Sequence, residues 1–218
     1  MTAPIVTVRG EAQIEVPPDR ATLLVTVHSA GDSAERVRAE LADASGRIGG
    51  LLDQYAAAIE QSSTSGLHIG PVFHRRTGTR ITGYRGTFST HIVVRDLESL
   101  SPIVFALAPL PNSQIDGPWW SLRPDNAAYR GVRLSAIGDA RRRADDYAGA
   151  VGATVLDLVE ISDLDTGFHG MREMRSIALA KGMADDATFE FEPALQTVSG
   201  QVTVRFTITT PDLAKPPA

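Results

Sequence analysis

Thr7 to Val27 reads TVRGEAQIEVPPDRATLLVTV, and its alternation decides the fold class. The even positions Val6, Val8, Gly10, Ala12, Ile14 and Val16 are apolar or small, while Thr7, Arg9, Glu11, Gln13 and Glu15 are polar. That is the period-two pattern of a half-buried strand. Pro17 and Pro18 stop the strand because neither can donate to a sheet ladder, and Asp19 follows as a turn residue. The spacing predicts that the chain reverses there into a second strand, with Leu23, Val25 and Val27 on one face. Nothing in this strand, turn, strand unit carries chemistry.

The rest of the chain extends the same pattern. Its 218 residues, 43% of them hydrophobic, suffice for a core in one large domain or two small ones. Cysteine is absent, which excludes a disulfide framework, a thiolate metal site and a cysteine nucleophile. The start MTAPIVTVRG has no basic segment ahead of an apolar core, and no window approaches the roughly 20 apolar residues of a membrane span. The expectation is therefore a cytoplasmic protein with no membrane insertion, and a net charge of -5 argues against a nucleic-acid partner.

Asp32-Ser33-Ala34-Glu35 has the form of a capping box and opens a helix of about seven turns with an apolar stripe Val37, Leu41, Ala44, Ile48, Leu52, Tyr55 and Ile59. Gly46, Gly49 and Gly50 interrupt its composition, and the expectation is that they permit close packing against a sheet. Strands follow from Thr64 to His74 and up to Arg95, joined by a turn at residues 75–80. One face of the latter carries Phe88, Thr90, Ile92 and Val94, and the other carries Thr87, Ser89, His91 and Val93, polar enough to meet solvent, a channel or a partner. A short apolar helix spans Leu97 to Leu107, and a strand from Ser113 to Leu122 is assigned to an edge because it contains Pro118. A second long helix runs from Pro124 to Val151, with Tyr129, Val132, Ala136, Ile137, Ala140, Ala144, Tyr147, Ala148 and Val151 inward. Strands at Val155 to Ile161 and Val198 to Ile208 complete the set, with a short helix expected over Met171 to Lys181. These elements predict an α+β fold with a largely antiparallel sheet and both long helices on one face. The expected organisation is a single domain over 1–213 with an irregular insertion at about 164–196, then a disordered tail over 214–218. Strand, helix, strand occurs twice and hints at two related halves, but the residues of the halves do not match well enough for a duplication.

Four separated stretches resemble one family in the right order. Val8-Arg9-Gly10-Glu11-Ala12 followed by Pro17-Pro18-Asp19-Arg20-Ala21 is similar to the opening signature of the SIMPL-domain family, V-x-G-x-G/A and then P-P-D-x-A. Tyr84 and the strand after it, the alanine-rich run from Ala128 to Gly152, and Gly200-Gln201-Val202-Thr203-Val204 resemble its later motifs. The resemblance implies an α+β fold, assembly into ring-shaped or channel-like homo-oligomers, and no catalytic residues or cofactor. Many relatives are exported to the cell envelope and linked to stress tolerance; the missing export signal makes a cytoplasmic assembly the expectation here.

Candidate chemistry competes with plainer explanations. Asp165-Thr166-Gly167 has the core triplet of aspartic proteases, in which two aspartates share a proton, but a strand leaving a sheet also ends in such residues. A hydrolase or small-ligand site built from Asp163, Asp165 or His91 at a subunit boundary is the alternative to a non-catalytic protein. His28, His68, His74, His91 and His169 lack the spacing of a zinc motif, so no metal is expected. Arg141-Arg142-Arg143 suits phosphate, yet Asp139 with Arg143 and Arg142 with Asp146 can pair at helical spacing, as solvated helix faces do. Trp119 and Trp120 should point to opposite faces of their strand, one into the core and one to a subunit contact. The candidate oligomer interface is thus Arg9, Glu11, Gln13, Trp119 and Trp120.

Overall fold

A computed structural model describes residues 3–74, 78–163 and 191–214. Among them run β1 (Ile5–Val16), β2 (Arg20–Gly31), α1 (Ala34–Asp53), β3 (Ile59–Phe73), β4 (Ile81–Val94), a 3-10 turn (Leu97–Ser99) and α2 (Leu100–Leu107). β5 (Ser113–Ser121), α3 (Ala127–Ala150), β6 (Val155–Asp163) and β7 (Gln196–Ile208) follow. The fold is α+β and its strand pairs are antiparallel, as the alternation predicts.

The strands form two sheets, ordered β1-β7-β6 and β3-β4-β2-β5, instead of the one expected. The described residues cluster accordingly into two compact units, one holding 3–16, 124–163 and 195–214, the other 17–74, 78–123 and 191–194. β1 and β2 therefore do not make a hairpin: β1 pairs with β7 from Ile5↔Thr207 to Val16↔Gln196, and β2 pairs with β4 and β5. The physical reason lies in the two prolines. A tight hairpin needs residues with positive φ at its centre, and proline holds φ near −65°.

The two units repeat one topology. In each, a strand is followed by a helix and then two strands, and the last strand lies between the other two: β2-β4-β3 around α1, and β1-β7-β6 around α3. The central strands match in detail. Gly86 precedes the inward residues Phe88, Thr90, Ile92 and Val94, and Gly200 precedes Val202, Val204, Phe206 and Ile208 at the same intervals. The doubled strand, helix, strand order of the sequence is thus a repeat of βαββ units, the second interrupted by the whole of the first.

Each unit has its own core. In the four-stranded unit Leu23, Val25, Ile92 and Val94 meet Val37, Leu41 and Ile48 of α1, with Leu100, Ile103 and Leu107 of α2 closing one side. In the three-stranded unit Val8, Val202, Val204 and Phe206 meet the stripe Ala136, Ala140 and Ala144 of α3. Tyr147, expected inward, is 58% exposed; a stripe this narrow lets the helix approach so closely that a large flanking ring is turned outward.

Several local expectations shift. The N-cap of α1 is Ser33, which accepts from the Arg36 amide at 3.3 Å, one residue after the expected Asp32. α1 ends at Asp53, and Ile59 heads β3 instead of closing the helical stripe. Arg95 holds that turn by donating from its side chain to the Ala57 carbonyl at 2.9 Å and from its amide to Ala58 at 2.9 Å. Gly46, Gly49 and Gly50 do not admit a neighbour: a Cβ on any of them would meet nothing within 4 Å, because they lie on the outer side of α1. β5 is an edge strand, as Pro118 requires. Asp165, His169 and the helix expected over Met171 to Lys181 lie outside the described residues, as do Arg75, Arg76 and most of the tail.

Candidate functional site

The opening motif builds a helix seat. A Cβ at Gly10 would stand 2.0 Å from the Ala136 carbonyl oxygen and 2.7 Å from Ala140, so only glycine lets α3 cross β1 there. At the same crossing the Glu11 amide donates to Asp139 Oδ2 at 3.0 Å. Arg143 and Arg142 approach that carboxylate at 2.9 and 3.1 Å. The Glu11 hydrogen bond, followed by the two arginines, holds the Asp139 pKa below the ordinary carboxylate value of 3.8. A depressed folded-state pKa stabilises the fold above the unfolded-state value and ceases to do so as pH falls through the folded one. Asp139→Asn is therefore expected to flatten the acid limb of the melting temperature below about pH 4. Parallel melting series of the variant and the parent between pH 7 and 2 check this, and equal acid slopes would exclude the effect.

The P-P-D-R-A stretch is an anchor. Asp19 Oδ1 accepts from the Arg123 amide at 2.7 Å, and Arg20 reaches Glu60 at 3.2 Å, Ser121 Oγ at 3.2 Å and the Leu122 carbonyl at 3.1 Å. These contacts tie the start of β2 to the end of β5 and to β3. Both signature motifs thus explain structure, and neither presents a reactive group.

The residues expected at an interface fall on two sheets. Arg9, Glu11 and Gln13 line the exposed face of β1 away from α3. Arg9 bridges Glu11 at 3.0 Å and hydrogen-bonds Gln201 on β7, so this face is internally paired. Trp120 packs against the four-stranded core, and Trp119, opposite Thr22, lies half-buried on the other face. The arginine run is also paired: Arg141 with Asp145 at 3.0 Å, and Arg142 with Asp139 in place of the expected Asp146. Arg141 further lies 5.6 Å from the Phe206 ring centroid.

Periodicity alone did not reveal how bare the edge strands are. β3 exposes a polar run from Glu60 to Thr64, with Leu67 and Phe73 exposed farther along. β6 instead exposes Leu156, Leu158, Val159 and Ile161, each at 47 to 53%. Leu158 and Ile161 sit opposite Phe206 and Val204, so the apolar layer beneath α3 continues onto an edge that the helix leaves open.

A polar cleft lies at the far end of β2, in the four-stranded unit. Two adjoining hollows of about 260 and 470 Å3 share His28, Ser29 and Asn112. Ser29, only 6% exposed, donates to Glu40 Oε2 at 2.7 Å, and Arg36 bridges Glu40 Oε1 at 3.0 Å. Those two contacts, the serine first, hold the Glu40 pKa below the ordinary carboxylate range. Asn112, at φ 54°, accepts the His28 amide at 3.0 Å on its carbonyl and ends the pairing of β2 with β5. His91 stands two rungs from His28 on the same face, and Asp163 ends β6 in the other unit.

Two βαββ units, each with a glycine beneath its helix, define an α+β protein of two antiparallel sheets. The chain belongs to the SIMPL family, described as proteins of unknown function (DUF541), with the match running over residues 6–206. No curated protein matches it. Among solved structures it is similar to one described as "a putative amidohydrolase/peptidase from Burkholderia cenocepacia", at 14% identity and a TM-score of 0.32, over 63% of this chain and 36% of that one. It is also similar to an unknown protein from Galdieria sulphuraria, at 13% identity and a TM-score of 0.22, over 86% and 81% of the two chains. At these scores neither likeness bears on activity. No helix among the described residues is long and apolar enough to cross a membrane.

Proposed function

We propose that this SIMPL-family chain is a non-catalytic protein that assembles with copies of itself into a ring- or channel-like homo-oligomer. The observation that carries the reading is β6, an edge strand whose four large apolar residues are about half exposed. An unpaired apolar edge is a template for another chain, and natural proteins cover or charge such edges when they stay monomeric. The exposed polar face of β1, with Arg9, Glu11 and Gln13, and the half-buried Trp119 offer further contact area. The reading extends to a cytoplasmic, stress-linked role, the stress link resting on the habits of relatives. Light scattering on the purified chain across micromolar concentrations tests assembly. Masses of several subunits are expected, and a clean monomer throughout would rule the reading out.

A further inference from the structure

The cleft end of the four-stranded sheet has a feature that assembly does not use. Arg85 of β4 pairs with Ala30 of β2 on one side and Gly70 of β3 on the other. Two small residues therefore flank the guanidinium and leave open space beside it. One rung along, Thr87 pairs with His28 and with His68, which puts both imidazoles on the same face as Arg85, as its diagonal neighbours. Diagonal neighbours lie about 7–8 Å apart at the backbone, within reach of long side chains. The His68 ring leans over Gly70: its Nε2 lies 3.2 Å from where a glycine Cβ would stand, on the rung of Arg85. Arg85 and His28 both line the larger hollow, together with Asn112.

Among the described residues Arg85 makes no ion pair and no side-chain hydrogen bond. The nearby carboxylates are already engaged, Glu40 by Ser29 and Arg36, and Asp43 by Arg47 at 2.8 Å. They belong to α1, on the opposite face of the sheet from Arg85. The register sets Arg85, His28, His68 and Thr87 on one face, on neighbouring rungs of three strands, so their donors can be brought to one ligand. A planar carboxylate presents two acceptor oxygens; a tetrahedral phosphate presents three, and arginine's fork matches it bidentately.

We propose that this face binds a phosphate group, held by Arg85, His28 and His68, with the larger hollow beside Arg85 and His28 accommodating the body of a phosphomonoester. The test follows backbone amide shifts of the isotope-labelled full chain on titration with inorganic phosphate, glycerol phosphate and acetate at constant ionic strength. Saturable shifts at residues 28–30, 68–70, 85–87 and 112 are expected for both phosphates, tighter for the ester if its body enters the hollow. Equal affinity of the two phosphates would assign the site to free phosphate. Arg85→Gln should weaken phosphate at least about tenfold, the loss of a charge-assisted contact. Ala30→Glu, which sets a carboxylate across from Arg85, should abolish binding with the fold retained by circular dichroism. Phosphate shifts that persist in both variants, acetate binding as tightly as phosphate, or an absence of saturable shifts would each overturn the proposal.

Discussion

Gly10→Ala is expected to lower the melting temperature of the three-stranded unit by roughly 10–20 °C, and Gly10→Val by no less. The new Cβ would sit 2.0 Å from the Ala136 carbonyl oxygen and 2.7 Å from Ala140 Cβ and N. All three contacts involve helix backbone or a Cβ fixed to it, so no side-chain rotation relieves them. α3 must lift from β1 and uncover part of its alanine stripe. Overpacking costs about 1–3 kcal/mol where neighbours can adjust and more where they cannot; about 3 kcal/mol or above is the consequence here. Gly86 provides the comparison within the same molecule. Its Cβ would meet Val37 Cγ1 at 2.6 Å and Leu41 Cδ1 at 2.7 Å, both ends of side chains, while the one backbone atom near it, the His68 carbonyl oxygen, stands at 3.2 Å, so Gly86→Ala should cost visibly less. Gly46→Ala, with open space around it, should stabilise by about 0.5–1 kcal/mol through helix propensity. Differential scanning calorimetry of the three alanine variants ranks them, and a Gly10→Ala protein melting within a degree of the parent would refute the helix seat.

That ranking also shows where sequence reading reaches its limit. The alternation of Val6 through Val16 correctly assigned the inner and outer faces of β1, since side-chain direction follows from period two alone. The partner of β1 could not follow from it. Val8 pairs with Val204 across nearly the whole chain, and pairing at that distance depends on packing rather than on local pattern. Gly10 and Gly46 look alike as letters, yet one lies beneath a helix and the other faces open space. The distinction needs the position of α3 over β1. The phosphate-binding face was illegible for the same reason. His28, His68 and Arg85 are scattered over three strands, and only the register of β2, β4 and β3 sets them on neighbouring rungs. The neighbours of His68 on that face come from other strands. Pro118 was legible because its effect is local: it cannot donate, so its strand takes an edge.

The second large effect concerns assembly, and it separates one edge from another. Leu158→Lys combined with Ile161→Lys is expected to reduce the assembled protein to single chains at micromolar concentration. Both residues are already about half exposed, so the fold should lose little. A covered partner edge would lose apolar burial on the order of 1 kcal/mol per side chain and would have to accommodate two charges. Lysine on an edge strand is also the residue by which natural sheets discourage pairing. Ser62→Lys with Thr64→Lys places the same charges on the polar part of β3, Glu60 to Thr64, and should leave the mass unchanged. If the β3 pair dissolves the assembly and the β6 pair does not, the contact belongs to β3 and the apolar strip on β6 has another use. The stoichiometry of the parent adds the geometry. Two copies mean that β6 meets its own counterpart about a two-fold axis, whereas a larger closed number means that β6 meets a different surface, the head-to-tail arrangement from which rings are built.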